Sequence, residues 1–170
     1  MYLDEIVAAQ KGGDARGILS ICSANPWVLK AAMQENERPL LIETTCNQVN
    51  QFGGYSGMTP ADIIRYVREI AKENNFPNEN IIMGGDHLGP HVWQNEPAES
   101  AMQKAERLVR DYVVAGFIKI HVDCSMRLGD DPEGALDMEV SAWRAARLVK
   151  VAETSGNKNL RYVIGTEVPT

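Results

Sequence analysis

Cysteine is scarce in this chain of 170 residues: Cys22, Cys46 and Cys124 are an odd number, far apart, with no CxxC pair. That argues against a disulfide framework or a structural zinc site, and it suits a reducing cytoplasm. Positive charge is also in short supply, with 17 Lys and Arg against 23 Asp and Glu and a net charge of −6. A binder of nucleic acid or of an anionic membrane would carry a basic footprint. Long apolar runs are missing. The longest, Tyr112 to Ile118, falls far short of the roughly 20 residues that span a bilayer. Asp4 and Glu5 occupy the N-terminus and no basic segment leads into an apolar stretch, so no signal peptide is expected. What remains is an ordinary globular composition, 44% hydrophobic and 24% charged, which excludes wholesale disorder. The length suits one domain rather than two. The expectation is a soluble, acidic, cytoplasmic protein without nucleic-acid or membrane partners.

Periodicity divides the chain into alternating elements. Gly17 to Ser23 reads as a strand, and Pro26 to Glu37 as a helix with Asn25 as N-cap and Pro26 in its first turn. Leu40 to Cys46 is a second strand, followed by a loop with Asn47, Asn50, Gly53, Gly54 and Gly57. Thr59, Pro60 and Asp62 open the next helix in near capping-box form. Its residues Ile63, Ile64, Val67, Ile70 and Ala71 fall on one face. Asn80 to Gly85, Phe117 to Ser125 and Leu160 to Gly165 read as strands, and Pro97 to Ala115 and Asp137 to Glu153 as helices. Val140, Trp143, Ala146 and Leu148 are expected on the inner side of the last helix, and Met102 and Met138 in the core. Five strands and four helices in alternation imply parallel pairing and an α/β fold. A doubly wound sheet and part of a (β/α)8 barrel both fit. No GxGxxG turn follows the first strand, which argues against a dinucleotide fold. A complete barrel needs about 250 residues, so the chain is expected to be an N-terminal piece of a longer protein.

Strands buried on both faces should be continuous apolar runs, so departures are informative. In the fourth strand Ile118, Ile120, Val122 and Cys124 alternate with Lys119, His121, Asp123 and Ser125. This is either an edge strand wetting one face or a barrel strand pointing polar groups inward near its C-terminal end; the barrel reading is preferred. Glu43, Thr45 and Asn47 repeat the pattern in the second strand. A buried Glu43 calls for a nearby cation or metal, whereas a rim carboxylate would not. Gly84-Gly85-Asp86-His87 ends the third strand with an Asp–His pair suited to proton transfer and metal ligation. His91, beyond Pro90, reads as solvent-facing. Glu167 supplies a carboxylate after the fifth strand, and His87, His121 and Glu167 together would suit zinc or a hard divalent cation. The three cysteines read as small core residues near strand ends. The charged run from Lys104 to Asp111 reads as a solvated helix face.

Several strings are familiar: Ile21-Cys-Ser-Ala-Asn-Pro26, Asn47-Gln-Val-Asn-Gln-Phe-Gly-Gly-Tyr55, Met58-Thr-Pro-Ala-Asp62, Gly84-Gly-Asp-His-Leu-Gly-Pro90, Lys119-Ile-His-Val-Asp123 and Tyr162-Val-Ile-Gly-Thr-Glu-Val-Pro169. Through them the sequence resembles the accessory, non-catalytic subunit family of class II D-tagatose-1,6-bisphosphate aldolase, used in galactitol and N-acetylgalactosamine breakdown. The resemblance implies a (β/α)8 TIM barrel of class II aldolase type, of which residues 1–170 would form the N-terminal part of a single domain. It implies a divalent metal, usually zinc, which in class II aldolases stabilises the enediolate. By position Asp86 matches the catalytic proton donor and acceptor, His87 a metal ligand and Glu167 the acidic residue after strand five. Their inward face adds His121 as a metal candidate and Glu43 and Asp123 as catalytic candidates. Asn25, Asn47 and Ser125 are the candidate substrate contacts. The implied partners are a catalytic class II tagatose-bisphosphate aldolase subunit and a sugar phosphate. Self-association through open sheet edges is also compatible. The alternative is a metal-dependent D-tagatose-6-phosphate 4-epimerase using retro-aldol and aldol steps. A kinase label attached to the family finds no Walker-type glycine loop here.

Overall fold

The computed structural model describes residues 2–36 and 38–165. Helix α1 (Tyr2–Lys11) precedes β1 (Leu19–Ile21), α2 (Pro26–Gln34), β2 (Leu40–Thr45), α3 (Pro60–Glu73) and β3 (Ile81–Leu88). Then come α4 (Ala98–Ala115), β4 (Lys119–Val122), α5 (Met138–Thr154) and β5 (Arg161–Ile164). All strand pairs are parallel, and the spatial order is the sequence order, β1 to β5. A doubly wound sheet reverses its strand order at a switch point, whereas a (β/α) barrel winds in one direction. The unbroken order therefore selects the barrel-type winding.

The helices form where local chemistry starts them. Asn25 accepts a hydrogen bond from the Trp27 amide at 2.9 Å and Pro26 fills the first turn of α2. Thr59 and Asp62 complete the expected capping box on α3. Between strands and helices lies an apolar layer that includes Leu29, Ile42, Ile63, Val67, Leu108, Phe117, Ile120 and Leu148, none more than 1% exposed. Tyr112 of α4 is fully buried in it and shares its hydroxyl with Thr44 Oγ1 at 3.0 Å and the Val49 carbonyl at 2.9 Å. That bond ties α4 to the loop after β2. Asn50 shapes the same loop by accepting from the Phe52 and Gly54 amides and donating to the Cys46 carbonyl. Gly54 is required there. Its φ is +56°, and a Cβ would stand 2.4 Å from the Gln48 carbonyl oxygen.

Several expectations need correction. Helix α1 was not foreseen; none of its residues is buried, and it is held by Arg161, which forks onto Asp4 at 2.5 and 2.7 Å. Helix α2 stops at Gln34 rather than residue 37. On α5 the buried face is Arg144, Ala145, Leu148 and Ala152, while Met138, Val140, Trp143 and Ala146 are exposed. The inward turn of that helix is set by a polar pair: Arg144 donates to both oxygens of Asp131 at 2.6 and 2.7 Å. Cys22 is exposed, whereas Cys46 and Cys124 are buried as expected. The charged run on α4 is not purely solvated, since Glu106 pairs with Arg147 of α5. No helix among the described residues is long and apolar enough to cross a membrane.

Candidate functional site

The inward side chains of successive strands meet near their C-terminal ends, where barrel sites form. Strand β3 makes the decisive departure from regularity. Gly85 pairs with Ile120 and Leu88 with Val122, so Asp86 and His87 together oppose one residue, His121. Two adjacent strand residues ordinarily point to opposite faces; a bulge overrides that alternation. His87 takes up the irregularity with φ +48°, a left-handed conformation uncommon outside glycine but better tolerated by histidine than by most residues. The strand is accordingly longer than its apolar part suggested.

Asp86 sits at the centre of the cluster. Its Oδ1 accepts from His121 Nδ1 at 2.9 Å and lies 3.4 Å from Lys119 Nζ, while Oδ2 accepts from His87 Nδ1 at 3.1 Å. The two imidazoles are tilted against each other with centroids 4.4 Å apart. Burial opposes the charge on Asp86, but the His121 hydrogen bond and the Lys119 charge prevail and hold its carboxyl below the usual range. A carboxylate only accepts, so each histidine presents Nδ1–H to it, and a neutral ring then carries its lone pair on Nε2. In His121 that Nε2 is buried and has no hydrogen-bond partner among the described residues. Gly165 lies beside it, where an added Cβ would come to 3.7 Å, ordinary van der Waals contact.

Asp86, His87 and His121 offer ligand atoms within 4.8 Å of one another. Two imidazoles and a carboxylate are a donor set suited to zinc or a similar divalent cation, and the orphaned Nε2 is the atom a cation would satisfy. Glu167, the third metal candidate read from the sequence, lies outside the described residues.

Glu43 is buried and its cation is a lysine. Lys119 Nζ donates to Oε1 and Ser20 Oγ donates to Oε2. Beside the cluster opens a cleft of about 230 Å³ lined by Thr45, Asn47, His87, His91, Asp123 and Met126. Asp123 is fixed through Oδ1, which accepts from the Ser125 amide at 2.9 Å and hydroxyl at 2.6 Å. Ser125 thus braces Asp123 and does not line the cleft. Asn25 does not line it either, its oxygen being engaged in capping α2. Asn47 does, and it contacts His91 Nε2 at 3.2 Å. His91 is half-buried against Cys46 rather than solvent-facing, and burial chiefly lowers its pKa, with the Asp123 charge acting in the opposite sense.

Lys119, Ser20 and His91 are the residues that sequence reasoning did not select. Lys119 was visible in the inward alternation of β4, and His91 in the string that follows Asp86. The cysteines are not thiolates: burial, then Asp86 and Glu43, push Cys22 up to about 11, and burial pushes Cys46 and Cys124 up to about 12.

Residues 3–170 match the family model described as D-tagatose-1,6-bisphosphate aldolase subunit GatZ/KbaZ-like. A solved relative, a probable tagatose 6 phosphate kinase from Sinorhizobium meliloti 1021, superposes with a TM-score of 0.84 at 52% identity over 89% of this chain. The chain spans only 39% of that protein's length.

Proposed function

The chain belongs to the GatZ/KbaZ-like family of D-tagatose-1,6-bisphosphate aldolase subunits, and we propose that it acts as the accessory subunit of a class II tagatose-bisphosphate aldolase. In that role it supports the activity and stability of a catalytic subunit in galactitol and N-acetylgalactosamine breakdown. Family membership over nearly the whole chain carries this reading. The test is cleavage of tagatose 1,6-bisphosphate by the full-length protein, with and without a catalytic aldolase subunit. Enhanced or thermally protected partner activity is expected, with little cleavage by the protein alone. A partner indifferent to its presence would sink the reading.

A second reading is favoured by one observation, the assembled Asp86–His87–His121 cluster, which a purely supporting subunit has no need to keep. It is a metal-dependent D-tagatose-6-phosphate 4-epimerase. Here His87 and His121 would hold the cation, with Glu167 as a further candidate. A bound divalent cation would supply Lewis-acid polarisation of a substrate oxygen. Asp86 orients both imidazoles and holds or delivers the proton at its carboxylate. Asn47, Thr45, His91 and Asp123 line the cleft together with His87 and offer polar groups that suit sugar hydroxyls. Interconversion of tagatose 6-phosphate and fructose 6-phosphate, abolished by chelation and by Asp86→Asn, is the expected result. Turnover that survives either treatment unchanged removes this reading. The kinase name of the Sinorhizobium relative brings no proposal, since no phosphate-cradling glycine loop is present in this sequence.

A further inference from the structure

We propose that Lys119 is a positioning residue for Asp86, held in place across the sheet by Glu43 and Ser20, and that Glu43 acts through Lys119 rather than on a substrate. Glu43, Gly84 and Lys119 stand in one row, because Glu43 pairs in register with Gly84 and Gly84 with Lys119. Neighbouring strands lie about 4.8 Å apart, so side chains two strands apart meet only if the middle one leaves room. Gly84 leaves it. A Cβ at that position would stand 3.0 Å from Glu43 Oε1 and 3.0 Å from Leu41 Cδ1.

Over this gap Lys119 reaches Glu43, and its ammonium also lies 3.4 Å from Asp86 Oδ1. Ser20 donates to the second oxygen of Glu43, so both oxygens of that carboxylate already have a donor within the protein. Glu43 is not among the residues that line the cleft. The four groups come from four consecutive strands and form one chain, Ser20 to Glu43 to Lys119 to Asp86. At its end Asp86 Oδ1 is gripped by both Lys119 and His121, which fixes the carboxylate plane and directs Oδ2 to His87. The lysine ammonium carries three donors, enough to serve Glu43 and Asp86 at once.

The inference rests on the reading that Asp86 orients the histidines and moves the proton. Its test uses the full-length protein with two readouts: Zn2+ affinity by competition with a chromophoric chelator, and turnover of the sugar phosphate where there is any. Lys119→Met is expected to weaken Zn2+ binding by up to about 10-fold, the lower end of the range for losing a partner of a metal ligand, since Lys119 acts one step further out through Asp86. Where turnover exists, kcat falls while KM stays nearly constant. Because the lone Lys119 variant leaves Glu43 buried and uncompensated, the double variant Glu43→Gln/Lys119→Met serves as the folded control and is expected to show the same losses.

The deciding measurement is a double-mutant cycle between Lys119→Met and Asp86→Asn on Zn2+ affinity. A residue acting through Asp86 adds nothing once Asp86 is changed, whereas a merely structural lysine contributes independently. Additive losses would overturn the proposal, as would a Glu43→Gln/Lys119→Met protein that binds Zn2+ as tightly as the parent. If the parent shows no turnover with or without an aldolase partner, the functional reading fails, and the Zn2+ cycle still decides the role of Lys119.

Discussion

His121 and Asp86 lie 35 positions apart in the chain and 2.9 Å apart in the fold, joined through Nδ1, while the buried Nε2 of the same ring has no hydrogen-bond partner among the described residues. Replacing His121 by Ala is expected to weaken divalent-metal binding strongly, whereas Asp86→Asn weakens it less and removes proton transfer. For any turnover the protein supports, the Asp86 variant should lose about 10²- to 10⁴-fold in kcat, the usual worth of a general acid or base. Equal loss of metal affinity in the two variants would show that Asp86 is itself a direct ligand.

Thiol chemistry gives an independent check on the electrostatics. Cys22 is exposed yet has its pKa pushed up to about 11, first by burial of its sulfur and then by Asp86 and Glu43. Its labelling by a disulfide reagent at pH 8 should run about a hundredfold slower than that of a free thiol with its pKa near 8.5. The rate should climb about tenfold per pH unit until the thiol ionises. Cys46 and Cys124 should react only on unfolding. Fast labelling of Cys22 at neutral pH would mean that its sulfur is less buried than the structure puts it, or that the Asp86 and Glu43 charges lie elsewhere.

Gly84→Ala probes the row across β2, β3 and β4. The added methyl has to push against Glu43 Oε1 and Leu41 Cδ1, both at 3.0 Å. A loss of about 1–3 kcal/mol in denaturant unfolding is expected, typical of overpacking a filled interior. A neutral outcome would mean that the Glu43–Lys119 bridge swings aside without penalty.

The buried Asp131–Arg144 pair makes stability depend on acid. The Arg144 hydrogen bonds hold Asp131 below the usual carboxylate range, ahead of the opposing effect of burial. A carboxyl whose folded pKa is depressed stabilises the fold above its unfolded value of about 3.9, and that contribution drains away as pH falls toward the folded value. Asp131→Asn should cost about 3 kcal/mol at pH 7, since it strands a buried guanidinium. The gap between variant and parent should begin to close below about pH 4. Urea melts of both proteins from pH 3 to pH 8 test this, and a gap independent of pH would contradict it.

The barrel winding was legible because strand-length apolar runs alternate with helical faces, and because inward positions such as Lys119, His121 and Asp123 break the apolar rule. Capping chemistry placed α2 and α3 to within a few residues. Helix α1 was not legible, because it buries no residue and so shows no strong apolar stripe. Trp143 misled for the opposite reason. Its size suggested the core, but the orientation of α5 is set by Arg144 reaching Asp131, a pairing that periodicity does not register. At the site, the Asp86–His87 pair stood out, but that both side chains face inward depends on a bulge, which appears only once β3 is aligned with β4. The partner of Glu43 was hidden in the same way, since cross-strand register decides which residue lies two strands away.

Arg161 and Asp4 are joined across 157 positions of sequence. The helix that carries Asp4 has no buried residue, only half-buried ones such as Leu3 and Ile6, and this partly exposed contact ties it to β5. Closing so long a loop is entropically unfavourable until the intervening strands are in place, so α1 should dock late, after β5 has been laid against β4. The amides of α1 should then exchange with solvent through local opening, long before those of β2 and β3. Folding of this chain is expected to end where its sequence begins.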